Sequence, residues 1–175
     1  METIICSVMF LLNFIITWYF GKRSKTKRRS NSTTYKTIFS PAFTSLASLL
    51  ISVLLVINVA LTPWNPGSDL SFVAKILIGT FGVLTNVFLF WTLSVLGENF
   101  HPLSLAIVPT HIERTGPYRF LKHPIYTCNS IQFGVMVILI PSAMSVALLS
   151  AIVFLYVVAI KDEERCNESI KEISK

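Results

Sequence analysis

The chain has 175 residues, of which 53% are hydrophobic and only 14% charged, and its net charge is +6. Soluble domains carry about 25% charged residues, so this deficit, together with long apolar runs, excludes an ordinary soluble domain and predicts an all-α integral membrane protein. The positive charge does not indicate nucleic acid. Lys22, Arg23, Lys25, Lys27, Arg28 and Arg29 form one run directly after the first apolar block with no aromatic interleaving, a pattern explained by membrane topology.

In chain order, residues 3–20 are apolar and long enough to cross a hydrocarbon core about 30 Å thick. Trp18 and Tyr19 stand at the end of this block, where an interfacial belt would place them. Met1, Glu2 and Thr3 lack the basic start of a signal peptide, so the block reads as a retained first span. Residues 21–40 form a basic, polar loop. Residues 42–62 make a second, uncharged span, with Pro41 suited to its first turn, and the turn-rich stretch 63–69 ends it. The third span covers residues 70–96. Gly79, Gly82 and Asn86 share one of its faces, so the spacing predicts close approach of another helix and an internal partner for Asn86.

Residues 97–122 form a long polar connection. Two short apolar blocks follow, 125–140 and 143–160, separated by Pro141 and Ser142. One helix over both would be roughly 54 Å long, too long for a single span. The residue before a proline disfavours helix, so the pattern predicts a turn near Ile140 and a helical hairpin. The expected architecture is therefore about five transmembrane helices, the last two a hairpin. Residues 1–89 hold the first three spans and residues 90–175 the remainder.

Of the fifteen basic residues, all but Lys75 fall in the loops after spans one and three or in the tail. The positive-inside rule then predicts a multi-pass protein with an outside or lumenal N-terminus and a cytoplasmic tail. Cys6, Cys128 and Cys166 are odd in number and form no CxxC, so neither a disulfide framework nor a metal site is expected. His101, His111 and His123 show no metal-ligand spacing, and no GxSxG or GxGxxG is present.

Two polar clusters interrupt this apolar chain. The first runs Thr115-Gly116-Pro117-Tyr118-Arg119-Phe120-Leu121-Lys122-His123-Pro124-Ile125-Tyr126, and the second Lys161-Asp162-Glu163-Glu164-Arg165. The hairpin would return the second to the same membrane face as the first. Asn129 and Gln132 continue the first cluster down one face of span four, toward the bundle interior. Two readings stand at this point: a juxtamembrane anchor at the headgroups, or a pocket for a ligand carrying groups of both charges.

The residues from Gly116 to Tyr126 resemble the GPYxxxRHPxY signature of the isoprenylcysteine carboxyl methyltransferase and phospholipid N-methyltransferase group. Leu96-Gly97-Glu98-Asn99-Phe100 is similar to that group's Leu-Gly-x-Asn-aromatic element, and Glu163-Glu164 to its paired glutamates. The resemblance covers roughly residues 90–165, the region holding the hairpin 125–160, and implies a methyltransferase-like catalytic region. It implies S-adenosyl-L-methionine as cofactor, cradled on the cytoplasmic face by Thr110, His111, Ile112, Glu113, Gly116, Tyr118, His123, Pro124, Ile125, Tyr126 and a glutamate of the pair. It also implies a lipid or prenylated acceptor entering laterally from the bilayer, most simply an isoprenylcysteine carboxylate. An aminolipid acceptor and a non-catalytic lipid-binding adaptor are the alternatives. The implied membrane is the endoplasmic reticulum in a eukaryote or the inner membrane in a bacterium. Arg119 is the expected orienter of an acceptor carboxylate, and Glu163 or Glu164 the expected base for an amine. The chain departs from the group at Lys122, where arginine is usual, at Glu113, where a small apolar residue is usual, and after Glu164, where no FGxxYxxY follows.

Overall fold

The computed structural model describes residues 2–24, 41–61, 70–97, 100 and 113–173. Among these are five α-helices, one 3-10 turn and no strand: α1 (Glu2–Ser24), α2 (Pro41–Leu61), α3 (Phe72–Leu96), the turn Gly116–Arg119, α4 (Pro124–Leu139) and α5 (Ala143–Ile173). Local chemistry sets their ends. The Ser71 hydroxyl accepts from the Ala74 N–H at 3.2 Å and caps α3, which moves its start past the expected Leu70. Gly97, at φ +54°, closes α3 with its N–H on the Leu93 carbonyl. Pro124 opens α4, and Ile140, just before Pro141, ends it. Ser142 then caps α5, its hydroxyl accepting from the Ser145 N–H at 3.0 Å. That hydroxyl also donates to Asn58 of α2 at 3.0 Å, tying the hairpin tip to a neighbouring helix.

Helices α1, α3 and α5 are long and apolar enough to cross a bilayer, whereas α2 and α4 carry shorter apolar stretches, Leu46–Asn58 and Pro124–Leu139. The 16 residues of α4 rise only about 24 Å, short of a ~30 Å hydrocarbon core. One end of α4 must therefore lie recessed from an interface. Large apolar side chains such as Leu77, Phe81, Trp18 and Phe154 stay exposed, the outward surface expected of a chain solvated by lipid.

Gly79 faces Ile5, and Gly82 faces Met9, which is fully buried. Phe20 packs edge-on against Phe90 at 5.5 Å. Residue numbers on α1 and α3 rise together, so the two helices run parallel, and the small-residue face serves the close approach that its spacing predicted. Asn86 finds its partner in Gln132 of α4 at 3.2 Å. The hairpin is antiparallel, with Tyr156 of α5 against Tyr126 of α4. Two buried clusters fill the bundle. One centres on Met9, Leu55, Met136, Leu139 and Ile152, the other on Phe20, Leu89, Leu93 and Cys128.

One boundary differs from expectation. The fifth block was expected to end at Ile160, but α5 runs on through Lys161–Arg165 to Ile173. Nothing there breaks the helix, since no Pro or Gly occurs between Ala143 and Ile173, and straight-chain Lys and Glu are good helix formers. Glu163 and Glu164 are thus held on a continuous rigid helix rather than on a tail.

Candidate active site

The two polar clusters meet. The C-terminal end of α3, the 3-10 turn, the start of α4 and residues 156–165 of α5 gather at one end of the bundle. Glu113 organises the approach to the turn, its Oε1 accepting from the Arg114 and Thr115 N–H groups at 3.2 Å and from the Thr115 hydroxyl at 2.6 Å. Gly116 follows at φ +56°, a left-handed conformation that L side chains adopt only with strain. A Cβ there would also stand 2.9 Å from the Val95 side chain. Pro117 is the second residue of the 3-10 turn, which closes with the Phe120 N–H on the Pro117 carbonyl at 3.1 Å.

The centre of the site is a clamp between the α4 start and the glutamate pair. The Tyr126 hydroxyl donates to Glu163 Oε1 at 2.6 Å, and His123 Nδ1 lies 3.2 Å from Glu163 Oε2. His123 Nε2 lies 3.4 Å from Glu164 Oε1, and Lys122 Nζ reaches that same oxygen at 2.6 Å. Both ring nitrogens of His123 therefore face carboxylates, an arrangement that favours the imidazolium. The hydrogen bond to Glu163 raises the His123 pKa above its ordinary value, with the Glu164 contacts adding to it, while partial burial works the other way. The raised folded value means that stability from His123 is fully present below its unfolded pKa, about 6.5. It is lost as pH rises through the higher folded value. An NMR titration of the His123 ring is expected to give a pKa above 6.5, returned toward it by Glu163→Gln.

Tyr118 supplies a second feature. Its hydroxyl oxygen is buried and has no hydrogen-bond partner among the described residues. Burial, then the charge of Glu163, holds the group well above the ordinary tyrosine range, so it is a neutral O–H donor at any physiological pH. A buried hydroxyl left without a partner costs about 1–3 kcal/mol. Such a group beside a carboxylate pair fits a site that takes a polar ligand.

The expected site residues are distributed as follows. Tyr118, His123, Pro124, Tyr126, Glu163 and Glu164 are gathered here, with Gly116 shaping the turn and Pro124 buried at the α4 start. Ile125 is half-buried against the Phe20–Leu93 cluster rather than among the polar groups. Glu113 spends one carboxylate oxygen on its own turn. Arg119 is exposed and makes no ion pair among the described residues. Thr110, His111 and Ile112 lie outside the described residues, as do Glu98 and Asn99. Two contributors were not among the expected site residues. Lys122 pins Glu164 as a point charge on one oxygen, a task that needs no guanidinium fork. Tyr156 packs its ring on Tyr126, centroids 5.2 Å apart. Its only sequence signal is that it precedes Glu163 by two helical turns on one face.

The pairing of GPY, HPxY and a distal Glu-Glu, now seen as one spatial unit, is what a comparison with known proteins has to explain. No curated protein and no solved structure matches the chain. The family model described as isoprenylcysteine carboxyl methyltransferase (ICMT) family matches residues 77–167, just over half of the 175 residues, and includes most of α3, the turn, α4, most of α5 and both glutamates. The chain belongs to the isoprenylcysteine carboxyl methyltransferase (ICMT) family.

Proposed function

We propose that this protein binds S-adenosyl-L-methionine at the Glu163–His123–Tyr126 clamp and transfers its methyl group to a membrane-embedded acceptor. The acceptor would be the carboxylate of an isoprenylcysteine or a similar isoprenoid lipid. The observation that carries the reading is the carboxylate pair beside the unpartnered Tyr118 hydroxyl. A carboxylate has about four acceptor positions. Glu163 and Glu164 each use two among the described residues, so both retain capacity, and their side chains are 44% and 36% exposed. The set fits a ligand bearing an amine, a sulfonium, a carboxylate and hydroxyls. Tyr118 would donate to one of its oxygens. Residues 90–175 would carry the chemistry and residues 1–89 complete the bundle.

When bound, the cofactor supplies a methyl group activated by its sulfonium. The protein's own share is then positioning, the main source of rate in an in-line transfer. His123 and Lys122 hold the two carboxylates still, and Tyr126 fixes that of Glu163. A carboxylate acceptor is already ionised near neutral pH and needs no general base. Exposed Arg119 at the rim would orient it. A groove of about 310 Å³ between α3 and α4, lined by Phe81, Leu84, Phe88, Leu121, Thr127 and Cys128, supports an apolar tail approaching from the lipid. It lies next to the site, because its lining residues Leu121 and Thr127 flank Lys122, His123 and Tyr126 in the chain. The basic residues of the loops and tail support a cytoplasmic position for this face.

Titration calorimetry of the detergent-purified protein with S-adenosylhomocysteine tests the cofactor. No heat of binding up to millimolar ligand would sink the proposal. His123→Ala and Tyr126→Ala are each expected to weaken binding at least about tenfold, or about 1.4 kcal/mol. A radiolabelled-methyl assay on membranes tests the acceptor. Base-labile label on protein is expected. Label confined to extracted aminolipid would move the acceptor to an amine, with Glu163 or Glu164 as its base.

A further inference from the structure

Beneath the clamp, α4 turns Tyr126, Asn129 and Gln132 along one face, at i, i+3 and i+6, and each bonds to a different helix. Tyr126 donates to Glu163 of α5 at 2.6 Å. Asn129 Oδ1 accepts from Asn13 Nδ2 of α1 at 3.1 Å. Gln132 Oε1 accepts from Asn86 Nδ2 of α3 at 3.2 Å. The two amide pairs differ in what else they touch. The upper pair is linked to the site, because Asn129 and Ser48 of α2 lie within reach of the Tyr156 hydroxyl. The Tyr156 ring in turn packs on Tyr126, centroids 5.2 Å apart at 48°. The lower pair is linked to the helix backbones instead. Asn86 Nδ2 also lies 3.4 Å from the Met9 carbonyl and 3.3 Å from that of Gly82.

We infer that Asn129 and Tyr156 are positioning residues for the site. The layer formed by Asn13, Asn129, Ser48 and Tyr156 sets the Tyr126 ring, and through it the Glu163 carboxylate. Tyr126 turns about only two torsions, so whatever fixes its ring fixes the place of its hydroxyl. The ring meets both His123, centroids 6.2 Å apart, and Tyr156. Tyr156 is buried, with its ring on Tyr126 and with Ser48 of α2 and Asn129 of α4 beside its hydroxyl, so it cannot swing without displacing these neighbours in a lipid-surrounded interior. Four helices thereby converge on one ring. The Asn86–Gln132 pair, about one turn deeper, has no such route to the site and holds the bundle only.

That contrast makes the test. It rests in part on the methyl-transfer reading, so one readout is chosen that needs no cofactor: the NMR titration of the His123 ring in the full chain. Three variants are compared with the wild type. They are Tyr156→Phe, the double variant Asn13→Leu with Asn129→Leu, and the double variant Asn86→Leu with Gln132→Leu. Replacing both partners of a buried hydrogen bond by apolar groups is close to neutral for folding, and Tyr156→Phe keeps the ring. Release of Glu163 is expected to move the His123 pKa back toward about 6.5 in the first two variants and to leave it unmoved in the third. Affinity for S-adenosylhomocysteine on the same samples is expected to fall about fivefold in the first two and stay within twofold in the third. In turnover, KM for the cofactor rises while kcat stays within twofold. A wild-type titration in Tyr156→Phe and the Asn13/Asn129 variant overturns the inference. An equal shift in all three variants also overturns it, because that marks general loosening of the bundle. A wild type that binds no S-adenosylhomocysteine overturns the methyl-transfer reading, and the titration still decides the positioning role.

Discussion

Glu163→Gln is expected to weaken S-adenosylhomocysteine binding by roughly 30- to 150-fold, whereas Glu164→Gln is expected to cost less than about tenfold. The asymmetry follows from how many oxygens each carboxylate uses. Glu163 employs both: Oε1 accepts from the Tyr126 hydroxyl and Oε2 faces His123 Nδ1. A glutamine keeps one acceptor and turns the other into a donor. Either Tyr126 or His123 then faces an N–H₂, whichever way the amide is turned. Hydrogen bonds to charged groups are worth about 1.5–3 kcal/mol, and a loss of about 2–3 kcal/mol corresponds to the stated range. Glu164 employs one oxygen, Oε1, for both Lys122 and His123. A glutamine can present its carbonyl to the same two donors and lose mainly the charge. Calorimetry on both variants checks the order. Equal losses, or a larger loss in Glu164→Gln, would show that Glu163 is not the carboxylate that organises the site.

Gly116→Ala is expected to destabilise the protein by roughly 2 kcal/mol and to weaken cofactor binding with it. Two costs combine. A left-handed residue with a Cβ pays about 1–2 kcal/mol, and that Cβ would stand 2.9 Å from Val95. Val95 lies on α3 beside Trp91, whose ring is 3.7 Å from the same point, so the turn cannot retreat freely. The relief would be taken by the 3-10 turn, which carries Tyr118 two residues later. Thermal unfolding in detergent reads the stability loss and calorimetry reads the binding. Adding Val95→Ala separates the causes, because it removes the steric contact and leaves the backbone strain. Partial recovery is expected. Full recovery would mean that Gly116 is there for space alone, and wild-type behaviour of the single variant would refute the assigned role of the turn.

The membrane character, the helix count and the hairpin were legible in the chain because each has a short-range cause. Apolar runs of spanning length have few alternatives in a bilayer. Pro141 interrupts a helix through its own ring and missing N–H, whatever surrounds it. Gly79 and Gly82 share a face by helical period alone. The candidate site was legible in part for a different reason. Gly-Pro-Tyr, His-Pro-x-Tyr and Glu-Glu keep a family's order, and that order named the residues before any contact was known.

What the sequence could not decide is which groups meet across the fold. The order of residues says that Glu163 and Glu164 return to the right face, but neighbours on a helix project about 100° apart. Only the packing of α5 on α4 gives Glu163 two partners on two oxygens and Glu164 two on one. Lys122 looked like a departure from the pattern, and its contact with Glu164 exists only because α5 continues as helix past Ile160. Asn129 was legible as facing the bundle interior and Tyr156 as sharing a helix face with Glu163, but nothing in the chain named their partners. Their roles depend on α1, α2, α4 and α5 converging, and that convergence is a property of the packed bundle. Sequence by itself determined the solvent, the spans and the chemical vocabulary of the site. Tertiary structure decided which donor faces which oxygen, because a hydrogen bond is set within a few tenths of an ångström and no chain-local rule reaches across four helices.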